Sequence, residues 1–329
     1  MIQEERKPFK ILCIDGGGIK GLFSAQVLAK FEETFKTNIT EHFDLICGTS
    51  TGGIIALAAS AGIPMSEVVD FYKLKGPLIF AQNKKGRIGK CILKIKQYCY
   101  KGKYSNTELK NALTEVFGRR KISESLNLLC IPAFDIIHAT PRVFKKDYNK
   151  FTEDNKKTYV DVALATSAAP TYLPIHNVES SQFVDGGVWA NNPSLVGLME
   201  FLYQFAEDAR FNGVEILSIS SLELPKGGIF RKTSNSFADW GAELVDLFSI
   251  GQAKNIETLF QFLDGKFRFP MNYVRVVNQS LSSKQIELID MDNASVESLN
   301  LLQSIGEKTA ITEKMRPEVA KFFETKKTI

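Results

Sequence analysis

One segment constrains the fold of this chain more than any other, because it places a serine between an apolar strand and an apolar helix. The run FDLIC (43–47) predicts a buried strand, and the apolar stretch Ser50–Ala61 predicts a helix. GTSTG (48–52) joins the two, and a GxSxG motif in this context is typical of a sharp turn that exposes the hydroxyl of Ser50. The alternative is a tightly packed strand-to-helix junction in which the serine has only a structural role.

A second glycine motif, GGGIKG at residues 16–21, follows the predicted first strand Lys10–Ile14. The apolar spacing of Leu22–Phe35 predicts a helix directly behind it. Glycines let several amide N–H groups point into one small space, and a helix start adds partial positive charge. The loop therefore suits an oxyanion or a phosphate. Dinucleotide-binding proteins share the GxGxxG pattern, but they place an acidic residue after the second strand, where this chain has GTSTG.

A serine hydroxyl needs a neighbouring base before it becomes a useful nucleophile. The chain has three histidines, and none follows residue 176. In the α/β-hydrolase order the histidine comes last, after the acid, so that arrangement is not available here. Asp135 paired with His138 or His176 is an alternative, and structural roles for the histidines, including His42, are simpler.

Asp185 is the stronger candidate for the base. It follows an apolar pair, Phe183 and Val184, and two glycines come after it. A carboxylate at the end of a strand with close access can take a proton directly, and apolar neighbours raise its proton affinity. An Asp-Gly pair by itself is more often a structural turn.

Apolar runs alternate with segments of helical period along the chain, which predicts an α/β fold with a mainly parallel sheet. No stretch resembles a linker, so we expect one domain over residues 1–329. Further strands are predicted at 128–137, 142–144, 215–220 and 273–277, and further helices at 105–117, 160–168, 193–205, 237–262 and within 295–323. Asn192 is the predicted N-cap of the helix that begins at Pro193.

The charge distribution singles out a basic segment. The chain carries a net charge of +4, yet residues 71–107 contain ten Lys or Arg and no Asp or Glu, which leaves the remainder at −6. We expect a basic insertion at about 83–103 whose cations contact anionic lipid headgroups, Lys84, Lys85 and Arg87 among them. A solvated surface insertion is an equal alternative, and nucleic-acid binding is a weaker one.

The first ten residues lack the apolar core of a signal peptide, and no run reaches the roughly 18 apolar residues of a membrane span. We therefore expect a cytoplasmic protein. An odd number of cysteines without a CxxC pair predicts reduced, mostly buried thiols rather than a disulfide or zinc framework: Cys13, Cys47, Cys91, Cys99 and Cys130.

DGGGIKG, GTSTGG and DGG in this order resemble the patatin-like phospholipase family. The resemblance continues through FVDGGVWANNPS and MDNASVESLNLLQSIGE and so covers nearly the whole chain. It implies a three-layer α/β/α sandwich, with Ser50 as nucleophile and Asp185 as its base. It implies no metal and no organic cofactor, and it assigns the oxyanion hole to backbone amides of the glycine loop, at Gly16, Gly17, Gly18 and Gly21.

The resemblance also implies a function, a phospholipase A type lipid acyl hydrolase that cleaves membrane phospholipids through an acyl-enzyme. Lys20 matches a position that is usually basic in the family and can anchor the loop or favour an anionic substrate; a plain surface lysine is as good a reading. Within the family the chain looks like bacterial cytoplasmic members. Some of those act in antiviral defence when a cyclic nucleotide binds, so a cyclic dinucleotide activator, peripheral contact with the inner membrane and a homo-oligomer are further hypotheses. A non-catalytic storage or interaction protein is the rival class.

Overall fold

The computed structural model describes residues 6–81, 103–224 and 243–329. Eight strands in these ranges form one sheet in which the hydrogen-bonded neighbours run β5-β6-β3-β2-β1-β7-β8, with β4 paired to β3. The pairs joining β3, β2, β1, β7 and β8 are all parallel. The strands are β1 (Lys7–Ile14), β2 (Leu45–Gly48), β3 (Leu128–Asp135), β4 (Thr140–Lys145), β5 (His176–Val178), β6 (Ser181–Asp185), β7 (Phe211–Ile219) and β8 (Met271–Val276).

Helices cover both faces of this sheet. The helices are α1 (Gly21–Phe35), α2 (Thr51–Ser60), α3 (Met65–Ile79), α4 (Thr107–Phe117), α5 (Tyr159–Thr166), α6 (Gly187–Ala190), α7 (Ser194–Gln204), α8 (Glu243–Leu263), α9 (Ser283–Leu288), α10 (Val296–Glu313) and α11 (Pro317–Ala320). Short 3-10 turns lie at Gly18–Lys20, Ile39–Glu41, Ile122–Glu124 and Lys321–Phe323.

The alternation of side chains on β1 shows how the layers form, because successive side chains of a strand point to opposite faces. Phe9, Ile11 and Cys13 belong to a buried cluster with α7 and α8. Leu12 and Ile14 belong to a second cluster with α1, α2, α3, α4, α5 and α10. The predicted three-layer α/β/α sandwich with a mainly parallel sheet is confirmed.

The edges of β3 determine how the site is assembled. Cys130 pairs with Cys47 of β2 and also with β4, and Ala133 pairs with Asp185 of β6 and also with β4. A strand has two edges, so β4 occupies one of them and β2 and β6 share the other. Because β2 is parallel to β3 and β6 is antiparallel, the carboxyl ends of β2 and β6 approach each other end to end.

The predicted elements that fall on described residues are present, with ends that differ by a few residues. Helix α7 begins at Ser194 rather than at Pro193, although the side chain of Asn192 accepts a hydrogen bond from the Ser194 amide as a cap would (3.0 Å). No helix was predicted at α3, where Pro77 lies inside the last turn and reads as a helix end. The strand β5 and the short helices α6 and α9 were also missed.

Cys13, Cys47 and Cys130 are buried and unpaired, as predicted. They lie side by side on β1, β2 and β3. Cys91, Cys99 and the segment of the predicted basic insertion up to residue 102 lie outside the described residues. Among the helices of the three described ranges, none has both the length and the apolar character needed to cross a bilayer.

Candidate active site

Ser50 occupies the turn between β2 and α2. Its backbone has φ 55° and ψ −122°, a conformation that non-glycine residues rarely adopt. The flanking glycines are required by close packing, since a Cβ on Gly48 would lie 2.1 Å from the Gly52 carbonyl oxygen and one on Gly52 would lie 2.2 Å from that of Ile14. The turn therefore holds a strained serine at the carboxyl end of a central strand, as GxSxG predicted.

Asp185 meets Ser50 across the gap between β2 and β6. The Ser50 hydroxyl donates to Asp185 Oδ2 at 2.5 Å, and the Gly187 amide donates to Oδ1 at 2.7 Å. The end-to-end approach of the two strands explains how residues 135 positions apart in the chain come into contact. One carboxylate oxygen is thus fixed by the backbone while the other faces the serine.

Burial sets the proton affinity of Asp185. The residue is 5% exposed, and loss of hydration raises its pKa from an ordinary 3.8 to about 6. The hydrogen bonds from Ser50 and from the Gly187 amide oppose that rise. At neutral pH the carboxylate is largely ionised yet considerably more basic than an exposed aspartate.

The glycine loop lies against the same serine. A Cβ on Gly16 would lie 3.3 Å from the Cβ of Ser50. The Gly16 amide donates to the Asn191 carbonyl oxygen at 3.0 Å, and the Gly21 amide donates to the carbonyl oxygens of Gly18 and Ile19 in the 3-10 turn before α1. In the described part of the chain, the amides of Gly17 and Gly18 have no protein acceptor. Four glycine amides were predicted as oxyanion donors. Those of Gly16 and Gly21 already donate to protein carbonyl oxygens, which leaves the amides of Gly17 and Gly18 as the candidates.

The other predicted site residues fall elsewhere. Lys20 lines a charged pocket on the loop, together with Asp15, Glu223 and Arg275, and does not line the cavity at Ser50. Lys84, Lys85 and Arg87 are outside the described residues.

The histidines are engaged away from the serine. His138 is hydrogen-bonded to Asp135 at 2.8 Å, His176 lies 3.4 Å from Asp161, and His42 contacts Thr37 at 2.6 Å. The hydroxyl of Ser50 points to Asp185 instead. The structure thus favours the aspartate over the histidine alternative.

Two pockets reach Ser50. The larger has a volume of about 400 Å³ and is bordered by Ala169, Pro170, Val188, Phe248 and Met291 as well as by the serine, Asp185 and Gly17. The second is almost entirely apolar and is bordered by Gly18, Ile54, Phe71, Tyr72, Phe80, Leu109, Tyr172 and Leu173. Gly17 borders the first and Gly18 the second, so both glycines lie where a pocket reaches Ser50.

Several residues around the site were not predicted from the sequence to contact it. Thr166 accepts a hydrogen bond from the Ser50 amide at 3.0 Å, which removes that amide from the set of free donors. The Met291 carbonyl oxygen accepts from the Ile19 amide at 2.8 Å, and the Ser221 hydroxyl donates to the Gly16 carbonyl oxygen at 2.5 Å. Each comes from a distant part of the chain. Met291 opens the segment MDNASVESLNLLQSIGE that carries part of the resemblance, whereas Thr166 and Ser221 belong to no recognisable motif.

These features define a class of enzyme, the serine esterases. The sheet is mainly parallel and covered by helices on both faces, and Ser50 lies on a strained strand-to-helix turn beside free backbone amides and an apolar cavity. A family model, that of the patatin-like phospholipases, matches residues 12–197. The chain belongs to the patatin-like phospholipase family and is a lipid acyl hydrolase, which confirms the resemblance and the function predicted from the motifs.

Relatives cover nearly the whole chain. The cGAMP-activated phospholipase of Vibrio cholerae is 31% identical and covers 92% of this chain and 91% of its own. The cGAMP-activated phospholipase of Pseudomonas aeruginosa is 29% identical and covers 92% of this chain and 88% of its own. Patatin-like protein 2 of Arabidopsis thaliana is 29% identical and covers 91% of this chain and 82% of its own.

Proposed function

We propose that this protein hydrolyses acyl esters of membrane phospholipids with Ser50 as nucleophile and Asp185 as base. The single observation that carries the proposal is the 2.5 Å hydrogen bond from the Ser50 hydroxyl to a buried Asp185 carboxylate, at the mouth of an apolar cavity. A lipid chain fits such a lining better than a polar substrate does, because its burial removes apolar surface from water.

The proposed reaction has two halves. The oxygen of Ser50 attacks the ester carbonyl carbon while its proton passes to Asp185, and the amides of Gly17 and Gly18 donate to the oxyanion of the tetrahedral intermediate. The alcohol leaves with the proton of Asp185, and an acyl ester remains on Ser50. Water then loses its proton to Asp185 and attacks that ester, and Asp185 passes the proton to the Ser50 oxygen as the fatty acid leaves, which restores the serine hydroxyl and the carboxylate. A positioned base contributes about 100- to 10,000-fold, and one oxyanion donor about 100- to 1000-fold.

Activation by a cyclic dinucleotide is the second part of the proposal. The relatives from Pseudomonas aeruginosa and Vibrio cholerae are both named cGAMP-activated phospholipases and match over more than nine tenths of this chain. We infer the same kind of activator here, together with an antiviral role, peripheral contact with the inner membrane and homo-oligomer formation. One domain over 1–329 with a basic insertion at about 83–103 is the organisation that we propose.

The test is fatty acid release from phosphatidylethanolamine and phosphatidylglycerol vesicles, measured by mass spectrometry with and without cGAMP. We expect release by the wild type, and near-complete loss in Ser50→Ala and Asp185→Asn. Asp135→Asn is the matched control, because Asp135 is also buried but bonds to His138. It should keep its activity.

Each outcome bears on a separate part of the proposal. No release under any condition contradicts phospholipid hydrolysis, and release by Ser50→Ala contradicts the assigned nucleophile. Equal release with and without cGAMP contradicts the activator alone. A fluorophosphonate probe that fails to label wild-type Ser50 would point to the rival class, a non-catalytic protein with this fold.

A further inference from the structure

The glycine loop owes its orientation to a residue from another part of the chain. We propose that Ser221, which follows β7, is a positioning residue that fixes the Gly17 amide as an oxyanion donor. The inference rests on the proposed function, because it assigns a role within the same hydrolytic site.

A peptide group is planar and trans, so its C=O and the following N–H point in opposite directions. The Gly16 carbonyl and the Gly17 N–H belong to one such plane. The Ser221 hydroxyl donates to the Gly16 carbonyl oxygen at 2.5 Å. Holding that oxygen toward Ser221 turns the Gly17 N–H away from Ser221, and Gly17 borders the cavity that contains Ser50 and Asp185.

The next peptide plane is fixed in a similar way, but from within the loop. The Lys20 amide donates to the Gly17 carbonyl oxygen at 3.2 Å, and that carbonyl shares its plane with the Gly18 N–H. The 3-10 turn Gly18–Lys20 therefore orients the second donor through a backbone hydrogen bond of its own. The orientation of the Gly17 N–H instead depends on a side chain, the hydroxyl of Ser221.

The surroundings of Ser221 keep its hydroxyl in place. The residue is 7% exposed and packs directly against Gly17, where an added Cβ would lie 2.4 Å from the Ser221 oxygen. The next residue, Leu222, is buried with φ 66°, a backbone conformation that costs of order 1 kcal/mol or more and persists only where packing imposes it. The chain is thus bent sharply at the point where this hydroxyl meets the loop.

Glycines on both sides of the Gly16–Gly17 peptide make this plane easy to rotate, because glycine is free of the steric limits that a Cβ imposes. Without the Ser221 hydroxyl, the plane can turn its carbonyl oxygen toward the cavity. That oxygen would repel the oxyanion that the amide stabilises. Loss of the hydroxyl should thus weaken binding of the transition state and leave binding of the ground-state ester nearly unchanged.

The test compares Ser221→Ala with the wild type on p-nitrophenyl butyrate, with cGAMP present in every assay because the proposed function includes activation by it. We expect kcat to fall about 10- to 100-fold, below the loss for deleting a whole donor, with KM within about 2-fold. The inhibition constant of an alkyl trifluoromethyl ketone, which forms a tetrahedral oxyanion on the serine, should rise by a similar factor. The pH midpoint of the rate should stay where it is, because the surroundings of Asp185 do not change.

Ser220→Ala is the matched control. Ser220 is the preceding residue and is fully buried, and its hydroxyl is without a hydrogen-bond partner in the described ranges. The control should keep the wild-type kcat and inhibition constant. Ser221→Cys keeps a donor, although a weaker one on a slightly larger side chain, so its kcat should lie between those of the wild type and Ser221→Ala. It also tests the proposal if the alanine variant does not fold.

A Ser221→Ala enzyme with wild-type kcat and inhibition constant overturns the inference and leaves the proposed function intact. So does an equal loss in Ser220→Ala, or a rise in KM with kcat unchanged. A wild type that neither hydrolyses the ester nor binds the ketone overturns the proposed function and the inference together.

Discussion

Replacing Asp185 by Asn should abolish hydrolysis and at the same time stabilise the folded protein at pH 8. Burial raises the pKa of this carboxyl from 3.8 to about 6, which means that the native fold disfavours its ionised form. The stability that the protonated Asp185 carboxyl contributes to the native fold is fully present below pH 3.8 and is lost as the pH rises through about 6. Asparagine has nearly the same shape and carries no charge at any pH.

The magnitude follows from the two pKa values. A rise from 3.8 to about 6 corresponds to about 3 kcal/mol at pH 8, at about 1.4 kcal/mol for each pH unit. At pH 5 the same linkage gives only about 1.6 kcal/mol, because most of the native population is already protonated. The advantage of Asp185→Asn should therefore grow by about 1.4 kcal/mol between pH 5 and pH 8.

The assay is urea denaturation of both proteins at pH 5 and pH 8, with the free energies of unfolding compared at each pH. Other buried carboxyl groups contribute equally to both proteins and cancel in the difference. The absolute advantage also includes changed hydrogen bonds to Ser50 and Gly187, so the change with pH is the decisive quantity. A difference that stays constant or shrinks from pH 5 to pH 8 would refute a raised pKa at Asp185.

Three other predictions test the site and its frame. The kcat/KM for p-nitrophenyl butyrate should fall about tenfold per pH unit below about 6 and level off above it, because Asp185 must be ionised to accept the proton; a flat profile from pH 4.5 to 8 contradicts this. Gly52→Ala should cost about 1–3 kcal/mol or more in urea denaturation, since its Cβ would lie 2.2 Å from the Ile14 carbonyl oxygen, whereas Gly251→Ala, which meets open space, should cost nothing. Arg275→Met should cost about 3–5 kcal/mol, because buried Asp15 loses the guanidinium that binds both its oxygens at 2.9 and 2.5 Å; an unchanged urea midpoint would show that this pair is dispensable.

The parts of the fold that sequence could predict are those governed by local patterns. The strand before Ser50 and the helix after it follow from an apolar run, a glycine turn and a second apolar run. The strand β1 follows from a short apolar run, because its side chains are buried on both faces, with Ile11 in one layer and Leu12 and Ile14 in the other. These features depend on neighbours in the chain, which a sequence displays directly.

The arrangement of β6 could not be predicted in this way. Its antiparallel direction, and its position on the same edge of β3 as β2, depend on contacts with Ala133 and on the presence of β4 on the opposite edge. The motif at Asp185 indicated a carboxylate at a strand end but not the direction of that strand. Ser221 was invisible for a related reason, because its role depends on the Gly16 carbonyl, 205 positions away.

The absence of a histidine from this site has a physical explanation in the same burial. An exposed aspartate, with a pKa near 3.9, is a poor base for a serine hydroxyl, whereas a pKa of about 6 approaches the value that suits catalysis at neutral pH. The cost of about 3 kcal/mol is large beside a net folding stability of about 5–15 kcal/mol. A buried carboxylate of this kind stays in place where tight packing fixes the surrounding backbone. The close contacts of Gly48 and Gly52 are part of that packing. Looser packing around Asp185 would admit water, lower its pKa and make the protein more stable and less active.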